Sequence, residues 1–409
     1  MQILIITPYY LPDGGPSAAL FAMLSEEFVK RGHRVSVLCA VPHYPSGRVT
    51  AEYRKKQAPA VEKGVQVIRL QVPSLDRSNL ALRLLQFFDY QVSAVNAGLK
   101  LDYEVVLLSN PMLTVGLPFF FLSVLRKKPA VYSIHDVYPD VGVTLGIFRH
   151  KTVVEAVAAL ERYALQRARY VRILSESFIP GLRALGVPDE KMVLVYDWVD
   201  TELIRPLPRH NSFACQNDLL DKYVVMYAGN LGLSQGLEHV LTAAEILSRY
   251  EDIRFVFVGD GIAKSGLVER VKQCALRNVQ FIPVQPRAML PEVLATADVS
   301  LVTVQKGIGA GSLPSKSFSI LASGRPVIAS VDENSDLAKL VQRAQAGMCV
   351  PPENPEKLAE AILDLKENAD NCRRYGENGR NYVLKHHTPQ AAAIRFEEIL
   401  WSALKPTHG

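Results

Sequence analysis

The feature that most constrains the fold of this chain is a regular alternation of short β-rich runs and amphipathic helical runs. Residues 2–7 form the first β-rich run, and the helical stripe of Leu20, Met23, Leu24 and Phe28 follows it. The same rhythm continues along most of the chain. Such alternation predicts open, mostly parallel sheets with helices on both faces, the α/β class.

The alternation occurs as two series, separated by residues 197–218, which lack periodicity and predict a linker. The length of 409 residues also exceeds one usual domain. We therefore expect two Rossmann-like, doubly wound domains, at 1–200 and 201–385, that face a central cleft. The final segment, 386–409, is expected to form a helix that packs back on the N-terminal domain.

Composition indicates a folded protein of a reducing compartment. Hydrophobic residues make up 48% of the chain and charged residues 21%, and the five cysteines are scattered without close CxxC spacing. No secretory leader is visible, and the most apolar run, 114–125, is too short to span a bilayer. These observations predict a cytoplasmic protein without a disulfide framework or zinc site.

The net charge of +5 resides in one half of the chain. Residues 1–200 contain 23 Lys and Arg and 18 Asp and Glu, so residues 201–409 are neutral overall. This excess indicates an anionic partner for the first half, either a membrane or a phosphate. A chance surplus of surface lysines is the alternative explanation.

Residues 305–330, QKGIGAGSLPSKSFSILASGRPVIAS, combine a glycine-rich loop with a helix start. The predicted helix begins near Ser312–Pro314, with Ser312 as N-cap, and ends at Gly324 as the C′ residue. Free N–H groups at such a helix start can bind a phosphate. Lys316 would lie in the first turn, where the helix dipole disfavours a cation unless an anion is bound there. An ordinary strand–loop–helix corner is the alternative.

Further glycine corners follow other predicted strands. Gly229-Asn230 and Gly259-Asp260-Gly261 lie in the second domain, and Gly14-Gly15 follows the first strand of the chain. None of them forms a G-x-G-x-x-G or P-loop motif, so dinucleotide binding and ATP hydrolysis lose support. Together, the corners of the second domain predict that a nucleotide diphosphate derivative lies across one sheet edge.

His135-Asp136 follows the predicted strand 130–134 and should therefore lie at the carboxyl end of the first sheet, where a polar pair can contact a sugar hydroxyl. A histidine that caps the following turn is an equally good explanation. Other carboxylate candidates are Asp140, Asp197 and Asp200. The chain contains no D-x-D motif, so no metal clamp for a diphosphate is predicted.

Several segments together resemble the retaining GT-B glycosyltransferases of family 4, in particular those that build bacterial O-antigen and colanic-acid-type exopolysaccharides. They are ITPYYLPDGGPSA, HDVYPD, YAGNLGLSQGLEHVLTAA, FVGDG, NVQFIP and LPSKSFSILASGRPVIA. The resemblance implies that a sugar is transferred from a UDP- or GDP-sugar with retention of configuration, without a metal or other cofactor. No nucleic acid is expected as a partner.

The resemblance also implies roles for residues. Gly14 and Gly15 would lie beside the donor diphosphate, His135 would contact the transferred sugar, and Pro283 and Val284 would flank the base. The predicted catalytic residues are His135, Asp136 and Lys316. The predicted donor-binding residues are Gly14, Gly15, Gly229, Asn230, Gly259, Asp260, Gly261, Pro283, Val284, Arg287, Gly311, Ser312, Ser315 and Ser319.

The chain departs from the family pattern at four positions. Asn230 and Gln235 stand where the family usually has an arginine and a lysine on the diphosphate, although the resembling subgroup shares this trait. Gly311 and Ser319 replace two glutamates that normally position the donor sugar and the ribose. Lys316 and Arg287 remain as basic candidates for the diphosphate, and we favour Lys316.

The predicted reaction uses free N–H groups at Gly15 and at the helix start of Ser315 and Lys316, with the Lys316 ammonium, to stabilise the departing diphosphate. The acceptor hydroxyl would attack from the same face. The acceptor is expected to be a polyprenyl-diphosphate-linked saccharide. An enzyme peripheral on the inner membrane face would then contact an anionic membrane surface through its basic N-terminal domain, with Arg83, Arg126, Lys127 and Lys128 near apolar helices.

Two other functions fit the same pattern. A nucleotide-sugar 2-epimerase would need acid–base carboxylates around the sugar, for which Asp136 and Asp140 are the candidates. A catalytically weakened nucleotide- or lipid-binding partner of another transferase would account for the two missing glutamates.

Overall fold

The structure is a computed structural model, and it describes residues 1–15, 17–44, 46–55, 58–75, 79–109, 111–136, 151–308 and 313–406. The chain forms two compact units. Unit 1 comprises Met1–Asp197 and Pro389–Gly409, and unit 2 comprises Trp198–Thr388. The α/β class expected from the alternation is confirmed in both.

Unit 1 is built on an eight-stranded sheet in the order β3-β4-β2-β1-β5-β6-β7-β8, parallel except for the β3–β4 pair. The side chains of β5 and β6 are buried along their whole length, which explains their continuous apolar sequences. The strands are β1 (Gln2–Ile6), β2 (Arg34–Ala40), β3 (Ala60–Glu62), β4 (Val65–Leu70), β5 (Val105–Ser109), β6 (Ala130–Ile134), β7 (Tyr170–Ile173) and β8 (Met192–Leu194).

The helices of unit 1 cover this sheet. Of the predicted apolar stripe of the first helix, Leu24 and Phe28 lie in the core, whereas Leu20 and Met23 are only half-buried; Phe21, which the predicted stripe does not include, is fully buried. The helices are α1 (Ala18–Lys30), α2 (Leu80–Gly98), α3 (Met112–Pro118), a π-helix (Phe119–Leu125), α4 (Lys151–Arg167), α5 (Ile179–Ala184) and, from the C-terminal segment, the helix Pro389–Leu404, numbered α14 below.

The C-terminal helix α14 packs against α1 within unit 1. The Glu397 carboxylate accepts a hydrogen bond from Arg31 Nε at 2.6 Å and lies 2.9 Å from His33 Nε2. Phe396 on the same helix is fully buried and lies below the guanidinium of Arg172, 5.7 Å from its ring centroid. The last helix therefore completes the core of this unit.

A buried carboxylate connects three elements of unit 1. Glu161 on α4 accepts hydrogen bonds from the Met112 N–H and the Tyr132 hydroxyl, both at 2.7 Å. Burial raises the pKa of Glu161 to about 7, although the two hydrogen bonds oppose this shift. Between about pH 4.5 and pH 7, Glu161 is therefore protonated in the folded state and ionised in the unfolded chain.

We expect this linkage to make unit 1 less stable as the pH rises from about 4.5 to about 7, because the folded pKa of Glu161 lies above the unfolded one. Glu161→Gln keeps an acceptor for Met112 and carries no charge. The variant should match the parent protein in urea unfolding near pH 4.5 and exceed it by roughly 1–3 kcal/mol at pH 8. If the free energies of unfolding of the two proteins differ by the same amount at every pH, the raised pKa of Glu161 is contradicted.

Unit 2 contains a six-stranded parallel sheet in the order β11-β10-β9-β12-β13-β14. The chain proceeds from β9 to one edge and then returns to β12 on the other side of β9. The strand order thus reverses between β9 and β12, which is where open α/β sheets bind ligands. The strands are β9 (Tyr223–Ala228), β10 (Ile253–Val258), β11 (Val279–Ile282), β12 (Val299–Thr303), β13 (Val327–Ser330) and β14 (Gly347–Val350).

Helices cover both faces of this sheet. In α11, the Ser335 side chain accepts a hydrogen bond from the Ala338 N–H, as an N-cap does. The helices are α6 (Ser212–Gln216), α7 (Leu237–Ile246), α8 (Lys264–Gln273), α9 (Leu290–Thr296), α10 (Lys316–Ala322), α11 (Asp336–Ala344), α12 (Pro355–Glu367) and α13 (Ala369–His386).

The prediction that residues 197–218 form a linker is wrong. All but Asp197 of this segment belongs to unit 2, and it contains α6, which is capped by the Asn211 side chain. Phe213 is fully buried, and Arg209 pairs with Asp298 at 3.2 Å. A few long-range contacts hold the segment, and such contacts leave no periodic signal in the sequence.

No helix among the described residues is both long and apolar enough to cross a membrane. All five cysteines are free thiols.

Candidate active site

The candidate donor site lies at the carboxyl edge of the unit 2 sheet, between β9 and β12. The loop after β9 begins at Gly229, and the segment after β12 leads to α10, whose first residue is Lys316. If Gly229 carried a Cβ, that atom would lie 3.6 Å from Lys316 Cδ and 3.9 Å from Nζ. The structure therefore brings these two predicted residues together.

An aromatic ring supports the ammonium of Lys316. Its Nζ lies 3.7 Å from the ring centroid of Tyr227, near the end of β9, where the negative ring face attracts a cation. The Tyr227 hydroxyl lies 2.8 Å from the Asn230 carbonyl oxygen and 3.1 Å from Gln235 Oε1, so its one proton can donate to either. The backbone of Asn230 and the side chain of Gln235 thus contact the hydroxyl of the ring that supports Lys316.

Among the described residues, the ammonium of Lys316 has no carboxylate partner. No ion pair within the described residues involves this side chain, and burial lowers its pKa to about 7. The Tyr227 ring face opposes this shift, and part of the side chain stays accessible to solvent. A bound anion would compensate for the lost hydration.

The start of α10 differs from the prediction. The helix begins at Lys316, with Ser315 as N-cap, instead of near Ser312–Pro314; the Ser315 side chain accepts no capping hydrogen bond. Gly324 at φ +70° is the C′ residue, as predicted. Gly311 and Ser312 lie outside the described residues.

The backbone at this helix start offers donors to a ligand. The Ser317 and Phe318 N–H groups donate to carbonyl oxygens of the preceding turn, whereas the N–H groups of Ser315 and Lys316 donate to no described residue. Ser319 lies one turn further along the helix. The arrangement provides two backbone donors beside one ammonium.

The glycines after β9 and β10 have a structural explanation. A Cβ on Gly259 would lie 2.0 Å from the Gly229 carbonyl oxygen, and one on Gly261 would lie 2.4 Å from the Leu231 oxygen. Asp260 lies on the same loop and is exposed. Because backbone packs on backbone here, Gly259 and Gly261 are required whether or not a ligand binds.

The residues after β11 are more exposed than those around Lys316. Pro283 follows this strand directly, and the Val284 side chain is 67% exposed. The Arg287 guanidinium lies 3.9 Å from an Asp200 carboxylate oxygen. Arg287 has an acidic neighbour, whereas Lys316 has none within the part of the chain that the structure describes, so Lys316 is the better candidate for binding a phosphate.

In unit 1, the prediction that Gly15 offers a free N–H is wrong. The Gly15 N–H donates to Asp13 Oδ1 at 2.7 Å, and Asp13 Oδ2 accepts from the His43 N–H at 2.9 Å. A Cβ on Gly15 would lie 2.3 Å from Tyr9 Cγ, so the glycine is needed for packing. A Cβ on Gly14 would lie 3.9 Å from Tyr44 Cδ1, an ordinary van der Waals distance. Sequence reasoning missed Asp13, the buried carboxylate that orders this loop.

His135 lies at the carboxyl end of β6, as expected. Its Nδ1 is 4.0 Å from Asp197 Oδ1, and its ring makes an edge contact with Phe21. Desolvation lowers the pKa of His135 to about 4, with Asp197 opposing and Arg172 adding to the shift, although 19% of the side chain remains exposed. The ring is therefore neutral near pH 7 and suited to hydrogen bonding.

The buried Arg172 fixes the carboxylate beside His135. Its Nη2 donates to Asp197 Oδ1 at 2.6 Å, and its Nε donates to the Val195 carbonyl at 2.7 Å. Asp136 follows His135 and keeps solvent-accessible surface, yet desolvation by the surrounding protein and the Asp197 charge raise its pKa. Sequence reasoning considered Asp197 but missed Arg172, a charged residue within a buried strand.

The described ranges contain no group of three His, Cys, Asp or Glu side chains that could hold a metal ion.

Family profiles match both units of the chain. A profile described as "Glycosyl transferase 4-like domain" matches residues 14–198, and one described as "Glycosyl transferases group 1" matches residues 211–382. The chain belongs to the family-4 glycosyltransferases. This family membership makes it an enzyme that transfers a glycosyl group, and its fold is of the GT-B type.

Two relatives of this glycosyltransferase cover nearly all of it. A provisionally assigned colanic acid biosynthesis glycosyl transferase, WcaI of Escherichia coli K12, is 28% identical over 92% of this chain and 96% of its own. The O-antigen chain mannosyltransferase C of Escherichia coli is 23% identical over 93% of this chain and 92% of its own. The group to which the chain belongs thus includes enzymes of bacterial polysaccharide synthesis.

Solved structures share the fold at low sequence identity. HepE of Anabaena in complex with UDP has a TM-score of 0.72 at 16% identity, covering 98% of this chain and 100% of its own. Sucrose-phosphate synthase from Thermosynechococcus elongatus has a TM-score of 0.74 at 18% identity, covering 98% of both chains. HepE has also been crystallised with UDP-glucose.

Proposed function

We propose that this glycosyltransferase moves a sugar from a nucleotide-diphosphate sugar to a polyprenyl-diphosphate-linked saccharide in the synthesis of a bacterial surface polysaccharide. The transfer retains the configuration at the anomeric carbon and needs no metal. The donor diphosphate binds at the edge of unit 2 between β9 and β12.

One observation carries this proposal: the ammonium of Lys316 lies on the Tyr227 ring with no carboxylate partner among the residues that the structure describes. A lysine in this position destabilises the unliganded protein, since its charge is poorly solvated. A diphosphate bound between the Lys316 ammonium and the backbone N–H groups of Ser315 and Lys316 would supply the ion pair and the hydrogen bonds that these groups lack in the unliganded protein.

The chemistry follows from this position. As the glycosidic bond to the donor breaks, negative charge develops on the diphosphate oxygen, and the Lys316 ammonium stabilises it. The acceptor hydroxyl attacks from the face that the leaving group occupies, and the leaving phosphate oxygen takes its proton. For the neutral His135 ring of unit 1 and for Asp136, we propose contacts with the transferred sugar.

The relatives support a uridine donor and a polysaccharide product. HepE binds UDP and UDP-glucose in its crystals, and the relatives named above belong to colanic acid and O-antigen synthesis. A guanosine donor remains the alternative to be tested beside uridine.

A peripheral position on the cytoplasmic membrane face would bring the enzyme to a lipid-linked acceptor. The exposed apolar side chains of Leu85, Phe88 and Val92 follow a helical spacing on α2, which favours an interfacial contact. Arg126 contributes less than expected, because its Nη1 faces the Leu101 carbonyl at 3.3 Å. Salt-sensitive sedimentation with anionic vesicles would test this position.

The donor assignment is tested by a thermal-shift panel of nucleotides and nucleotide sugars, since a ligand of the native state raises its melting temperature. We expect a UDP- or GDP-sugar to give the largest shift. Incubation of that donor with lipid-linked acceptors should then yield a glycoside of retained configuration by NMR. An epimerised donor in the absence of acceptor would overturn the transferase proposal.

We also expect donor binding to take up a proton above pH 7. The diphosphate should raise the pKa of Lys316 from about 7 toward its usual value. The donor affinity should therefore fall by up to about tenfold per pH unit between pH 7.5 and 9. Calorimetry in two buffers of different ionisation enthalpy measures this uptake directly. Lys316→Met should show neither the uptake nor the slope; a slope that persists in this variant would exclude Lys316 as its source.

A further inference from the structure

A basic pocket lies at the amino edge of the unit 1 sheet, opposite the edge that carries His135. Its volume is about 500 Å³, and none of the described residues that line it is acidic. Six cationic side chains do, and we call these residues the basic pocket: Lys127, Lys128, Arg167, Arg169, Lys191 and Lys405.

The sheet itself builds this pocket. Lys128, Arg169 and Lys191 each stand one or two residues before a strand, and these strands, β6, β7 and β8, are neighbours in the sheet. Because neighbouring parallel strands are spaced by about 4.8 Å, the three cations form a row at one edge. The row places like charges close to one another.

The three cations of the row form no salt bridge with any described acidic residue. The only described polar partner of Lys191 Nζ is the Gln166 carbonyl oxygen, at 2.7 Å. Desolvation and the charge of Arg169 lower the pKa of Lys191, and Glu190 opposes them in part. Within the described ranges, the salt bridges include none of the six side chains.

Helix dipoles account for only three of the six cations of the basic pocket. Lys127, Arg167 and Lys405 lie at the C-terminal ends of the π-helix, α4 and α14, where a helix dipole favours a cation. The dipole does not account for the three cations that precede strands. Lys127 also has φ +52°, a left-handed conformation that a lysine adopts less readily than a glycine.

We propose that the basic pocket binds a phosphate group carrying several negative charges. Its volume suits a small polyphosphate or a phospholipid headgroup, and its charges are complementary to either. This site is separate from the donor site, because it lies in the other unit and at the amino edge of the sheet. The proposal does not depend on the proposed transfer reaction.

The test uses inorganic tripolyphosphate as the probe, in the full-length Lys316→Met variant so that the donor site does not contribute. Calorimetry at about 50 mM salt should show binding, because screening is weak there. Arg167→Glu combined with Lys405→Glu should weaken this binding at least tenfold. The matched control, Lys272→Glu with Arg277→Glu, makes the same charge change on exposed residues of unit 2 and should change it less than twofold.

Vesicles of phosphatidylglycerol and phosphatidylcholine identify the source of the phosphate. If the protein binds the vesicles and tripolyphosphate displaces it from them, the phosphate belongs to a lipid headgroup. If the protein does not bind the vesicles, the phosphate belongs to a soluble polyphosphate. The proposal is overturned if tripolyphosphate does not bind at low salt, or if the two double variants weaken it equally. Should the charge reversals prevent folding, Arg167→Gln with Lys405→Gln must still weaken binding severalfold.

Discussion

Lys316→Met is expected to lower kcat by about 10²–10³-fold, the usual effect of removing one electrostatic contact to a developing negative charge. Methionine keeps an unbranched side chain, one atom shorter than that of lysine, beside Tyr227 and removes the ammonium. Donor affinity should fall as well, since the ammonium contacts the diphosphate before the reaction.

The same substitution should stabilise the unliganded protein. The charge of Lys316 is poorly solvated and has no carboxylate partner in the described ranges, so its removal is expected to raise the free energy of unfolding by roughly 1–2 kcal/mol at neutral pH. Lower activity together with a higher melting temperature would separate a binding role from a structural one. Lys339→Met, on an exposed lysine that pairs with Asp336 at 3.5 Å, is the control and should change neither quantity appreciably.

Asp197→Asn is expected to destabilise unit 1 by about 3–5 kcal/mol, because it leaves the guanidinium of Arg172 buried without its carboxylate. Arg172 is fully buried, and its Nη2 lies 2.6 Å from Asp197 Oδ1. The effect should appear as a lower midpoint of urea unfolding with an unchanged slope.

A double-mutant cycle with Arg172→Met checks the cause. If the ion pair is responsible, Arg172→Met with Asp197→Asn should lose less stability than the two single variants together. A loss below about 1 kcal/mol in Asp197→Asn would show that Arg172 finds another anionic or polar partner, and that the pair does not hold this corner.

Much of the fold could be predicted from the sequence because parallel strands buried on both faces leave continuous apolar runs. The strands β1 (Gln2–Ile6) and β6 (Ala130–Ile134) match their predicted runs, 2–7 and 130–134, to within a residue. The short antiparallel strand β3 (Ala60–Glu62) was missed, since three residues with an exposed centre carry no such signal. The π-helix after Pro118 was likewise invisible to periodicity.

The candidate site was predictable where it depends on sheet topology and unpredictable where it depends on side-chain contacts. Gly229 and Lys316 both follow strands that neighbour the reversal of strand order, so their proximity follows from the alternation. The support of Lys316 by Tyr227 and the capture of the Gly15 N–H by Asp13 involve pairs that no spacing rule connects. The only sequence signal for the contact between Asp13 and the Gly15 N–H is that residue 13 has a polar side chain.

The most direct test of the donor site is a crystal structure of the enzyme with a nucleoside diphosphate, UDP first and GDP second. We predict that Lys316 Nζ lies about 2.7–2.9 Å from a diphosphate oxygen, with the N–H groups of Ser315 and Lys316 turned toward the same group. A bound diphosphate with no oxygen within hydrogen-bond distance of Lys316 would contradict this account.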